Sequence, residues 1–206
     1  MFKPAARKFK LKLRPGIGLI ETLVAMSILV SAIVALMSMV ISSATARSAN
    51  EYMTVAGDLA REGIEVVVAK RNDNWINDLP FDTGMYVGTD YTFELSFNPA
   101  TGAWTFDNTP NLITDATTQM YKYVAPATYP GLSVQAVSKP VNTVVTPYSR
   151  LVTLDSICLD ETIVTSGSSC SAANYKIGVR ITSTVQWVDH TYKHNLSIIE
   201  TIYDWR

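Results

Sequence analysis

The chain has 206 residues, with 17 lysines and arginines against 18 aspartates and glutamates, a formal net charge of −1, two cysteines and two histidines. The cysteines, Cys158 and Cys170, have no CxxC or histidine companion spacing, which makes them a poor metal site. The charge is unevenly spread: with the six bases of residues 1–16 set apart, 11 bases face 18 acids, a net charge of −7, and no basic stripe remains that would offset nucleic-acid phosphates.

Residues 1–16 (MFKPAARKFKLKLRPG) carry Lys3, Arg7, Lys8, Lys10, Lys12 and Arg14 and no acid. Positive charge ahead of a membrane span keeps that side cytoplasmic. Thr22 to Ile41 is a 20-residue apolar run, long enough to cross a bilayer as a helix, and no charge lies between Glu21 and Arg47. Glu21 is therefore an acid at the edge of a membrane segment, where insertion scales put an Asp at about 2.5–3.5 kcal/mol at the centre and less near an end. A secretory signal has a shorter apolar stretch of about 7–15 residues, whereas this run is 20 residues long. Charge and hydropathy alone fit an uncleaved signal anchor as well as a processed leader.

The string Gly16-Ile17-Gly18-Leu19-Ile20-Glu21 resembles the G-F-T-L-I-E signature of type IV prepilins and of the pseudopilins of type II secretion. The resemblance implies that prepilin peptidase cuts between Gly16 and Ile17 and methylates the amine of Ile17, and that Glu21 is the fifth mature residue, the family's assembly glutamate. Ile stands where the family usually has Phe or Met, and Gly where it has Thr. The resemblance further implies an inner-membrane, single-pass precursor with its head outside the cytoplasm, and then an extracellular filament. Its partners would be the peptidase, the pilus assembly machinery, other pilin copies and, before assembly, the membrane. The expected divisions are a removed leader at 1–16, a transmembrane and filament-core helix at 17–42, its amphipathic continuation at 43–72, and a β-rich head at 73–206.

The apolar pattern continues past the membrane run. Ala49, Met53, Ala56, Ala60, Gly63 and Val67 recur at helical spacing, with Glu51, Asp58, Arg61, Glu62 and Glu65 on the opposite face. The Asn72-Asp73-Asn74 cluster is expected to end the helix. A second, weaker resemblance to pilin-like proteins lies in Ala60-Arg61-Glu62-Gly63-Ile64-Glu65-Val66-Val67 with Arg71 to Trp75; on the helix, Ile64 and Val67 are expected to lie under the sheet and Trp75 to close the helix end. Leu36-Met37-Ser38-Met39 lacks the helix-breaking Pro that major pilins often carry there. Ser27, Ser31 and Ala35 form a small-residue stripe that suits close helix packing or a lipid-facing surface equally.

From residue 84 the period becomes two. Tyr91–Phe97, the Asn98–Gly102 turn and Ala103–Phe106 predict a hairpin. Short strands are expected near Tyr121–Val124 and Leu132–Val137, a loop over Lys139–Pro147, and a strand over Ser149–Asp155. Tyr175–Val188 and Tyr192–Tyr203 predict a second hairpin, with Val179, Ile181, Ser183, Val185 and Trp187 facing the helix. Cys158 and Cys170 are either a disulfide, natural outside the cytoplasm and contributing about 3 kcal/mol at this loop length, or two free thiols. His190 and His194 are read as surface polar residues, and Tyr91, Phe93 and Trp104 as core. No nucleophile, phosphate-loop or metalloprotease pattern occurs. The chain is thus expected to be an α+β protein, a long N-terminal helix packed on an antiparallel sheet, with no catalytic residues, metal or cofactor. The reading favours a pilus subunit, with a type II secretion pseudopilin or an uncleaved signal-anchored binding protein as alternatives.

Overall fold

The computed structural model of the chain describes residues 18–86, 91–98, 101–107, 112–124, 129–136, 138–165, 169–189 and 191–204. One helix, α1 (Leu19–Ile76), precedes strands β1 (Thr92–Asn98), β2 (Ala103–Asp107), β3 (Gln119–Tyr123), β4 (Ser133–Gln135), β5 (Thr143–Cys158), β6 (Ile163–Val164), β7 (Lys176–Asp189) and β8 (Tyr192–Tyr203). The chain divides into two compact units, Met1–Ser48 and Ala49–Arg206.

In the first unit the described residues form the apolar part of α1. Leu, Ala and Met favour the helix, and neither Pro nor Gly occurs from Leu19 to Ala56 to break it. Every large apolar side chain from Leu19 to Ile41 is exposed, so this stretch contributes nothing to a core of its own. It is long and apolar enough to cross a membrane.

The second unit is an α+β layer pair: the last part of α1 lies on an antiparallel sheet built around β5. One edge of β5 pairs with β7 from Tyr148 to Cys158. Its other edge takes β3 at Thr143–Ser149, β1 at Val152–Thr153 and β6 at Ser156–Ile157. β2 extends β1, β4 extends β3, and β8 extends β7. Ile64, Val66 and Val67 of the helix bury against Phe93, Leu95, Val152, Leu154, Val179, Ile181 and Ile202. Ala56, Leu59 and Ala60 bury against Met120, Tyr148, Val185 and Trp187. Each large apolar side chain so buried contributes about 1.5–3 kcal/mol. The five inward positions expected on β7, Val179 to Trp187, are all buried.

Two glycines permit close approach. A Cβ on Gly63 would stand 2.5 Å from Ser183 Oγ and 3.3 Å from Val152 Cγ2, so the helix rests directly on β5 and β7 there. A Cβ on Gly178 would stand 2.6 Å from the Ile202 carbonyl oxygen and 2.9 Å from Tyr203 Cδ1. The Gly178 obstacle is backbone in a paired strand and cannot turn aside. Gly178→Ala is therefore expected to destabilise by about 2–3 kcal/mol and to lower the melting temperature by roughly 5–10 °C, read by circular dichroism.

Four expectations need correction. The helix does not end at Asn72–Asn74 but runs to Ile76. Its end is set by Asp78 at φ 58°, with Leu79 N–H donating to Asn74 O (2.9 Å) and Asp78 N–H to Trp75 O (3.2 Å), a left-handed cap of the Schellman type. Asn74 is buried because its amide donates to the Phe81 and Thr83 carbonyls (3.0 and 2.9 Å) and pins the following loop. Met53 is exposed, the buried face of the helix beginning at Ala56, and Glu62 turns toward the sheet rather than to solvent. The segment expected as a loop up to Pro147 already belongs to β5 from Thr143, and β6, within the cysteine loop, was not expected.

Candidate functional site

Glu21 lies in the first turn of α1, with its backbone N–H donating to Gly18 O at 2.9 Å. A carboxylate there is favoured by the helix dipole by about 0.3–1 kcal/mol. It is exposed and has no ion-pair partner among the described residues. Three hydroxyls in the same apolar stretch fold back onto the helix: Thr22 donates to Leu19 O, Ser27 to Val24 O and Ser31 to Ile28 O, each at 2.8 Å. Satisfied in this way, these side chains can enter an apolar medium without an orphaned donor. Among the described residues the Glu21 carboxylate has no such bond back to the helix. Gly16 and Ile17 lie outside the described residues.

The head contains its own polar centre. Arg150, on β5, shares the inward face with Val152 and Leu154 and is 0% exposed. Its guanidinium meets Glu62 Oε1 at 2.8 Å, and it donates to Leu59 O (3.1 Å), Leu95 O (3.4 Å) and Gln135 Oε1 (3.0 Å). Gln135 is also buried; its amide donates to Thr118 O (3.1 Å) and Arg150 O (2.5 Å), and its oxygen also accepts Leu95 N–H (3.3 Å). One guanidinium thus links α1, β1, β4 and β5. Elsewhere Arg180 of β7 donates to its register partner Asp155 through Nε (3.1 Å) and Nη2 (2.5 Å). Lys176 pairs with Asp82 and lies 4.4 Å over the Tyr86 ring, tying the loop after α1 to β7. Burial, and behind it the Asp82 charge, raises the Tyr86 phenol. Burial beside Tyr52 and Glu51 pushes the Tyr148 phenol up to about 12, so both stay neutral at physiological pH.

Cys158 and Cys170 are joined in a disulfide with a Cα–Cα distance of 5.6 Å. The bridge closes the loop that contains β6. In it Asp160 accepts from Thr162 Oγ1 (2.6 Å) and Thr162 N–H (3.1 Å), which holds its carboxyl below the usual range. His194 is exposed and stacks on Trp187 (centroids 5.3 Å apart), while His190 lies outside the described residues. Tyr91 and Phe93 are buried and Trp104 is half-buried against Phe97. No group of three or more histidine, cysteine or acidic side chains could hold a metal among the described residues.

No family model, curated protein or solved structure matches the chain. Functional inference rests on the residues themselves.

Sequence reasoning missed Arg150, Gln135 and Glu94. For Arg150 a signal existed: strand alternation puts it in line with Val152 and Leu154. For Gln135 and Glu94 the burial comes from distant strands, and no local pattern announces it.

Proposed function

We propose that the chain is a structural subunit, a major or minor pilin, of a type IV pilus-like filament, made as a precursor whose leader is removed between Gly16 and Ile17. The observation that carries this reading is Glu21: a carboxylate in the first turn of an uninterrupted helix whose large apolar side chains from Leu19 to Ile41 are all exposed. Such a surface needs cover from lipid or from like helices. The basic leader and the Gly-Ile-Gly-Leu-Ile-Glu string supply the processing signal. After the cut, the free amine of Ile17 is a cation of the kind Glu21 lacks. In an apolar bundle an unpaired carboxylate is costly, and pairing with the Ile17 amine of a neighbouring subunit offsets that cost and fixes register.

Glu21→Ala is expected to leave membrane insertion and leader removal unchanged, and to reduce incorporation into filaments by at least about tenfold, the effect of only 1.4 kcal/mol of lost contact. Sheared-filament yield measures it, and normal yield from the variant would sink the assembly role. Mass spectrometry of the N-terminus separates the rival: N-methylated Ile17 supports the filament subunit, and an intact Met1 leader supports a membrane-anchored protein that is never processed.

A further inference from the structure

The β1–β2 hairpin is the rim of the sheet. β1 is fastened to β5 at Thr92–Thr153 and Phe93–Val152, and to β4 through Gln135, which accepts Leu95 N–H and, at its backbone oxygen, Ser96 Oγ at 3.0 Å. Among the described residues β2 pairs with β1 alone. Within this pair Glu94 stands directly opposite Asp107. Glu94 is only 2% exposed, and its Oε2 has no hydrogen-bond partner among the described residues. Like charges directly opposite on antiparallel strands oppose pairing, and a buried carboxylate short of donors adds a desolvation cost.

The two charged residues of β5, the strand that pairs with β1, are already engaged. Arg150 of β5 holds Glu62 of α1, Asp155 of β5 holds Arg180 of β7, and β4 carries no charged residue. No described cation sits on the Glu94 carboxylate, so the least costly way to keep the hairpin closed is to keep Glu94 protonated.

We propose that Glu94 and Asp107 make the β1–β2 hairpin a pH-responsive element, closed while Glu94 holds its proton and loosened along β2 once Glu94 ionises. Burial, and behind it the Asp107 charge, raises the Glu94 carboxyl to about 7, which puts the transition near neutrality. Because the closed form binds the proton more tightly than the open form, closure is strongest below the ordinary glutamate range. It weakens as pH rises from there through about 7. The segment released carries Trp104 and Phe106, which pack on Phe97 and Phe93 at 5.0 and 5.1 Å between ring centroids, so opening alters an aromatic surface of the head. The inference does not depend on the filament reading.

The test is hydrogen exchange of the full chain in detergent at pH 6 and pH 8.5, corrected for intrinsic exchange chemistry, with β7–β8 peptides as the internal reference. Protection of the peptide spanning β2 is expected to fall about tenfold between the two conditions relative to that reference, and in Glu94→Gln to stay level. Equal protection at both pH values in the parent chain, or an undiminished fall in Glu94→Gln, overturns the proposal. If Glu94→Gln does not fold, Asp107→Asn decides: removing the opposing charge should shrink the fall, and an unchanged fall overturns the proposal.

Discussion

Arg150→Ala is expected to destabilise the head by about 3–5 kcal/mol, the range for removing one partner of a buried ion pair. That is a large share of the roughly 5–15 kcal/mol total of a typical domain. The side chain is fully buried and reaches Glu62, Leu59 O, Leu95 O and Gln135 Oε1. Alanine removes those contacts together and leaves a cavity between the helix and the sheet. The damage is shared unevenly. The Glu62 side chain is 35% exposed and can turn toward water, and Gln135 Oε1 keeps its bond from Leu95 N–H. Arg150→Met, which refills the volume without the charge, is therefore expected to recover part of the loss, and Arg150→Met with Glu62→Gln more of it. Thermal unfolding of the three variants measures this order. A loss below about 1 kcal/mol in Arg150→Ala, the scale of an exposed pair, would mean that the guanidinium is not the link between the layers.

Cys158→Ser combined with Cys170→Ser is expected to cost about 3 kcal/mol, the loop-closure contribution for a separation of 12 residues. Cys158 is buried at the last position of β5, where the register with β7 shifts, and Cys158 N–H donates to Thr162 O at 2.9 Å. Without the bridge, fraying should begin at β6 and at the adjoining end of β7, while the ladder around Leu151–Thr184 stays protected. Hydrogen exchange resolves the two regions. A reductant should lower the melting temperature of the parent chain by a similar amount and leave the double variant unmoved. Uniform loss of protection across β5 and β7 would count against this local account.

How much of this was legible beforehand depended on whether the signal was local. Period-3.6 patterning placed Ile64 and Val67 under the sheet, and period-2 alternation placed Val179 to Trp187 inward, because each depends only on the segment's own geometry. The first part of β5 is hidden in the sequence because Pro140 and Pro147 look like loop punctuation. Pro147 is tolerated because it falls where the pairing with β3 shifts register and one residue before the ladder with β7 begins at Tyr148, so no N–H is missed there. Glu62 read as solvent-facing by its helical position, since its partner lies 88 residues away on a strand whose placement the helix does not encode. Glu94 alternates away from Phe93 and Leu95, which reads as polar and outward; its burial belongs to the assembled sheet. Of the candidate site, the motif around Glu21 was fully visible, because an acid beside an uncharged apolar run stands out from sequence alone.

The place of β5 has a consequence for how the head comes into being. Strands β1 and β3 lean on β5, and β7 brings β8 to its far side. Until β5 is made, α1 and the first four strands have no common surface on which to settle. Their contacts with β5 and β7 span long sequence separations, which slows folding. A nascent chain that has reached only β4 is thus a set of hairpins with apolar faces and no sheet, dependent on whatever shields it while the rest emerges. The head should then close late and in one cooperative step, and truncation before β7 should yield chains that are degraded or aggregated rather than partly folded.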